Sequence, residues 1–336
     1  MRFRNSIRLL MENFKHVFRL VLCRWSISLI ASALCCAFVL PELLSVWRSD
    51  AVQALWLDVK AFLKAFFGVD RTALEMAKQS IMGEDGTLEQ VLDLLASMTT
   101  EIALVLMGCV IVYLLKRFAE TLCYFTVGGQ LNDKMATYAE TSFSTSFVSN
   151  LGKASVYALA YVPAVFLFDA ITIGICYLLL SNLPVLMALF LSMTMIAVFQ
   201  SLKLTVTGRW MPALTVDGKK LRQAMFHPTK NEKKQFPKVF SMYLVSVYLI
   251  IVVNAVVALC TFGSGLILTV PASYFLLICE QYVNYYTVMG KKYFITFERI
   301  EKNADYGDSE HFFDYLTHEN AQESKATPNK IDGETI

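Results

Sequence analysis

Six apolar runs set the architecture of this chain: about 25–47, 98–118, 154–181, 183–203, 239–261 and 264–287. Each is about twenty residues or longer, and at about 1.5 Å per residue a helix of that length crosses a hydrocarbon core of about 30 Å. The first is marked at both ends, by Arg24-Trp25 and by Trp47-Arg48. Its tryptophans are separated by roughly 33 Å of helix, the distance between two membrane interfaces. Ser181-Asn182-Leu183-Pro184 and Phe262-Gly263-Ser264-Gly265 are short, uncharged links, so each joins two spans as an antiparallel hairpin. Tyr282, Tyr285 and Tyr286 close the last run with an aromatic belt. The pattern predicts an all-α polytopic membrane bundle of six transmembrane helices, with both termini cytoplasmic and a small extracytoplasmic helical cap.

The segments between the runs have their own periodicity. In residues 1–24, Phe3, Ile7, Leu10, Phe14, Val17 and Val21 fall on one helical face, with Arg2, Arg4, Arg8, Lys15 and Arg19 around them. Such a helix lies in the inner-leaflet interface or packs on the protein's own cytoplasmic side. Residues 48–97 predict the cap: an amphipathic helix carrying Val52, Leu55, Val59, Phe62 and Phe66, ended by Gly68. Two more helices are expected to begin at the capping-box patterns Thr72-x-x-Glu75 and Thr87-x-x-Gln90. The cap reads as a cover on the bundle rather than a separate domain. Residues 121–150 are mixed, and Gly128-Gly129 is expected to break the helix there. The tail 300–336 is acidic and reads as largely disordered, with a short helix around Phe312, Phe313 and Leu316.

Charge orients the spans. The loop 203–238 holds Lys203, Arg209, Lys219, Lys220, Arg222, Lys230, Lys233, Lys234 and Lys238 against Asp217 and Glu232. The positive-inside rule puts this loop, both arms and the loop 121–150 in the cytoplasm of a bacterial inner membrane. Only 17% of residues are charged and 56% are apolar, which excludes one large soluble domain. Eight cysteines lie in or beside apolar runs without a disulfide or metal-knuckle spacing, and the four histidines are scattered. The N-terminal apolar run is too long for a cleaved signal peptide and reads as a retained anchor. No nucleophile triad, phosphate loop, metal cluster or cofactor motif is present, and nucleic acid is not an expected partner.

Three acidic residues fall inside the spans: Glu42, Asp169 and Glu280. A carboxylate within a membrane is costly and is a candidate site by default. Asp169, in the third span, is the strongest, and Asn254 in the fifth is placed to hydrogen-bond to it. The pair reads either as a proton or cation site or as a packing contact between helices. Glu280, beside Gln281 and Asn284, reads as reaching the interface or pairing with a basic residue. Pro163 and Pro271 each lie in Val-Pro-Ala, and independent kinks explain them better than an inverted repeat.

Within the basic loop, Pro212 is expected to turn the chain out of the fourth span. Asp217-Gly218 is a turn dipeptide, and Leu221, Ala224 and Met225 form the apolar side of a short surface helix. Trp210-Met211-Pro212-Ala213-Leu214-Thr215-Val216-Asp217-Gly218-Lys219-Lys220 resembles a stretch in six-helix bacterial membrane families. These include the membrane domain attached to some glycerophosphodiester phosphodiesterases. Val283-Asn284-Tyr285-Tyr286 and Gly290-Lys291-Lys292-Tyr293-Phe294-Ile295 are similar to segments of uncharacterised Gram-positive membrane proteins. The resemblance covers the C-terminal half, departs at 227–236 and leaves no room for a phosphodiesterase barrel, so it implies no activity.

The function expected from these residues is a non-enzymatic membrane scaffold, regulator or accessory subunit. It would act through its basic cytoplasmic face, on anionic lipids and an unidentified membrane or cytoplasmic protein. The candidate contacts are Arg4, Arg8, Arg209, Lys219, Lys220, Arg222, Lys233 and Lys234. The alternative is a small proton- or cation-coupled transporter using Asp169.

Overall fold

The computed structural model describes residues 2–68, 70–83, 86–296 and 299–301. The chain enters through α1 (Arg2–Glu12) and α2 (Lys15–Trp47), then builds the cap from α3 (Asp50–Phe67), α4 (Arg71–Met82) and α5 (Thr87–Ser97). Two long helices follow, α6 (Thr99–Thr137) and α7 (Phe143–Asn182), and then α8 (Val185–Thr207). The basic segment folds as α9 (Trp210–Thr215) and α10 (Leu221–Phe226). The last spans are α11 (Lys230–Cys260) and α12 (Leu266–Val288), and the described chain ends in a hairpin of β1 (Tyr293–Thr296) and β2 (Arg299–Glu301). Six of these helices are long and apolar enough to cross a membrane: α2, α6, α7, α8 with its continuation, α11 and α12. The chain is an all-α polytopic bundle with one two-stranded addition.

The helix ends explain most departures from the sequence expectation. The 39 residues of α6 and 40 of α7 run roughly 60 Å, about twice a hydrocarbon core. Gly128-Gly129 does not break α6. A Cβ on Gly128 would come within 2.9 Å of both Met211 Sδ and Tyr282 Oη, so the glycine exists to let α9 and α12 close on α6. The cap helices begin where expected, but Asp70 caps α4, accepting from the Thr72 and Ala73 amides, and Gly86 precedes α5. Asp58 on α3 ties the cap together by accepting from Ser80 and Thr87. Helix α11 starts at Lys230 rather than near 239, because Thr229 and Glu232 form a reciprocal capping box. Pro212 lies inside buried α9 rather than in an exit turn.

The single N-terminal helix is divided at Asn13, whose buried side chain bonds Leu9 O at 2.9 Å. Helix α1 buries Asn5, Ser6 and Leu9 against α12 and β1, with Asn5 donating to the Tyr293 hydroxyl at 3.1 Å. One face of α1 therefore packs on the protein itself, while Arg4 and Arg8 stay exposed. The β1–β2 hairpin was not legible as a periodic element. The acidic tail from 302, including its expected short helix, lies outside the described residues.

The main core sits at the basic end of the bundle. Leu9, Val17, Phe125, Leu131, Met135, Tyr157, Trp210, Phe275, Tyr282 and Ile295 form one buried cluster. Nearer the opposite end α8 turns leucine and phenylalanine outward, as Leu186 and Phe190 show.

Candidate functional site: a charged cavity in the bundle

Helices α6, α7, α8, α11 and α12 line a partly open cavity of about 600 Å³. The helical repeat builds its wall. Tyr157, Tyr161, Val165 and Asp169 stand four apart on α7, and Tyr113, Arg117, Thr121 and Tyr124 stand three or four apart on α6, so each helix turns one stripe inward. Gln200 and Lys203 come from α8 and Ser273, Tyr274 and Gln281 from α12. The volume lies in the range of small-molecule sites, and the lining is mostly apolar with a few convergent charges.

Asp169 is not a lone acid. Lys203 Nζ lies 2.8 Å from its Oδ1, and Gln200 Nε2 donates to the same oxygen at 3.0 Å. Lys203, which the sequence assigns to the start of the basic loop, is on the last turns of α8 and only 9% exposed. Asn254 does not reach Asp169. It bonds Ile250 O at 2.9 Å and Ser273 Oγ at 3.2 Å, because α8 stands between α7 and α11 in the order of packing. Asn254 still lines the same cavity.

A second charged cluster was missed. Glu120, 1% exposed, lies 3.6 Å from Arg24 and 3.7 Å from Arg117. Arg117 Nε also donates to the Tyr113 hydroxyl at 3.0 Å, and the Arg24 guanidinium sits 4.5 Å above the Tyr274 ring. Tyr274 stacks on Tyr124 with centroids 5.2 Å apart. A second span that ends at 118 leaves Glu120 outside the bundle. Only a continuous α6 puts it inside, and its partner Arg24 is distant in sequence.

Glu280 neither reaches the interface nor meets a base. It is 0% exposed, held between α12 and α11 by a hydrogen bond from Ser246, and its Oε2 has no hydrogen-bond partner among the described residues. It lies on α12 one residue before Gln281, which lines both the main cavity and a smaller one of about 230 Å³ under α10 and the start of α11.

The basic segment is more folded than a solvated loop. Asp217 accepts from the Tyr285 hydroxyl and lies 2.8 Å from Lys219 Nζ, with Lys291 on its other oxygen. Burial pushes the Asp217 carboxyl up, but the hydrogen bonds from Lys219, Lys291 and Tyr285 outweigh it and hold it at about 2. Gly218, at φ +62°, makes the expected turn. Arg209 bonds Glu232 at 3.0 Å and Met225 O at 2.7 Å. Of the eight basic residues expected at a lipid or partner surface, Arg209 and Lys219 are thus internal supports. Arg4, Arg8, Lys220, Arg222, Lys233 and Lys234 are exposed, and so are Phe226 and Phe236, at 69% and 41%, within a few residues of the last four in the chain. Among the described residues no group of three or more metal-ligating side chains converges.

No family model, no curated protein and no solved structure matches this chain.

Proposed function

We propose that this chain is a bacterial inner-membrane protein, basic face in the cytoplasm, that takes a small solute into its bundle as part of a transport or uptake activity. The observation that carries this reading is the cavity of about 600 Å³ with two charged clusters in its wall. Charges inside a membrane bundle are expensive and concentrate on substrate pathways. Packing alone would be served as well by apolar side chains. The transport reading now gives Asp169 a built-in counter-ion, Lys203, so any coupled cation or solute must compete with that lysine. Gln281, shared between the two cavities, marks the route toward the basic face.

The exposed lysines and arginines with Phe226 and Phe236 favour a second, compatible role. They suit a surface that seats on anionic lipid, with the aromatic rings at headgroup level. The scaffold reading draws on that face alone and leaves the cavity unused.

The test uses purified protein in nanodiscs. Thermal stability is measured against panels of small carboxylates, phosphates and quaternary ammonium compounds, for wild type and for Val165→Trp, whose indole fills the cavity. Wild type should be stabilised by members of one panel, and the folded Val165→Trp protein should not. A wild type indifferent to every panel, or a Val165→Trp protein that responds equally, would sink the reading.

A further inference from the structure

We infer that the cavity takes an amphiphile bearing a single anionic group, carboxylate or phosphate, on an apolar body, with Arg117 as the anion's partner and Arg24 behind it as added positive charge. This rests on the reading of the cavity as a solute site and names the class of solute.

The charged residues of the wall itself, Arg117 and Lys203 against Glu120 and Asp169, balance, and Arg24, behind the wall on α2, decides the sign. Asp169 and Lys203 form a closed pair at 2.8 Å, reinforced by Gln200, and together contribute no net charge. At the other cluster two guanidiniums share one carboxylate. Their distances to Glu120, 3.6 and 3.7 Å, exceed the ~2.7–2.9 Å of a closed charge-assisted hydrogen bond. One positive charge is left over, and the pairing is loose. Arg24 Nη1, a donor, is buried without a hydrogen-bond partner among the described residues, and so is Glu120 Oε1, an acceptor that would take a donor of the solute rather than its anion. Buried polar atoms without partners are uncommon, and where they line or back a cavity they mark places for a ligand's polar group. Arg117 faces the cavity itself, with its Nε held by Tyr113 and its guanidinium also in contact with Tyr274, and an anion there would take the place of the neutral Tyr274 hydroxyl. The stacked rings of Tyr124 and Tyr274 lie alongside and supply the flat apolar surface for the body of the solute. A planar fork matched to two oxygens favours carboxylate or phosphate over a spherical ion.

Such an anion has two sources, a water-soluble organic acid or a lipid headgroup, and the experiment separates them. In the first arm, wild type in nanodiscs of phosphatidylcholine alone is titrated with three naphthalenes of one shape: the 2-carboxylate, the neutral 2-carboxamide and the 2-methylammonium. In the second, protein purified from membranes is examined by native mass spectrometry for retained phosphatidylglycerol. The carboxylate should bind at least about tenfold tighter than either twin, the worth of one charged hydrogen bond. Arg117→Gln should lose about that factor, Arg117→Lys should lose part of it while keeping the charge, and exposed Lys238→Gln should lose none. Retained phosphatidylglycerol that is absent from Arg117→Gln identifies the lipid as a source. Saturable binding of the ammonium twin, abolished by Asp169→Asn, overturns the anion assignment and leaves the cavity reading standing. No saturable binding of any twin and no retained lipid overturn both.

Discussion

Over its first half, from Thr99 to Leu115, helix α6 buries only Val112; over its second it buries Glu120, Cys123, Phe125, Val127, Leu131 and Met135. Helix α7 repeats this in reverse order, burying Ala154, Tyr157 and Ala158 in its first half and leaving Ile171, Ile173 and Tyr177 exposed in its second. One covalent helix thus serves two solvents. Where lipid surrounds it, apolar side chains gain nothing by turning inward, and the cavity with its charges lies across the junction of the two halves, from Tyr113 to Tyr124 on α6. Where water surrounds it, burial is the driving force and the interior closes.

The sharpest way to break this contrast is a pair of equal truncations. Phe125→Ala removes a ring with no exposed surface and should cost about 3–5 kcal/mol. Phe190→Ala, 75% exposed near the other end, should stay within about 0.5 kcal/mol. Reversible unfolding in mixed micelles measures both, and similar losses would mean that the two ends are packed alike.

Next in size is the ion pair. Lys203→Met strands Asp169 in the bundle and should cost about 2–4 kcal/mol in the same assay. Combining it with Asp169→Asn should recover most of that loss, since removing both members of a buried pair is often near neutral. A double variant as unstable as the single would show that the pair is not the source of the cost.

Close approach comes third. Gly128→Ala meets Met211 and Tyr282 at 2.9 Å and should cost about 1–3 kcal/mol, whereas Gly129→Ala finds its nearest neighbours, on Asn150 and Ser146, at 3.4 Å and should cost less. Thermal midpoints of the two variants rank them, and the reverse order would contradict the close seating of α9 and α12 on α6.

The smallest effect is electrostatic and confined to the basic end. Asp217 has its folded pKa depressed to about 2, so its contribution is present above the unfolded carboxylate range and disappears as pH falls from about 4 to about 2. Partial exposure reduces it to at most about 1 kcal/mol. The stability gap between wild type and Asp217→Asn should shrink across that window, and a gap independent of pH would assign the loss to hydrogen bonding alone.

The contrast also explains what the residues disclosed in advance. Lipid-facing helix is written in composition, and Trp25 and Trp47 bracket the first span, Trp25 inside α2 and Trp47 at its end. The water-facing continuation of α6 past 118 is mixed, because buried Phe125 and Leu131 alternate with polar Thr126 and Gln130, and its glycine pair looks like a stop. Asp169 stood out as an acid in an apolar run. Lys203 did not, since a lysine at a span end is ordinary, and its tip reaches back into the cavity. Glu120 was hidden twice, by the shortened span and by a partner on α2. The basic segment's turn at Asp217-Gly218 was legible, but its docking through Tyr285 and Lys291 depends on side chains far along the chain.

The placement of Asp169 and Lys203 also bears on how the chain is made. Both lie on one hairpin, whose helices are joined only by Leu183 and Pro184. The pair can therefore close as soon as the second helix is synthesised, and the insertion machinery receives a hairpin whose acid is already neutralised. Glu280 and Ser246 meet in the same way across the α11–α12 hairpin. Glu120 has one local partner, Arg117 on its own helix, but its second, Arg24, belongs to α2, and the whole cap is translated between them. Completing that cluster thus depends on packing α2 against α6 across the cap, rather than on a short link between neighbouring helices.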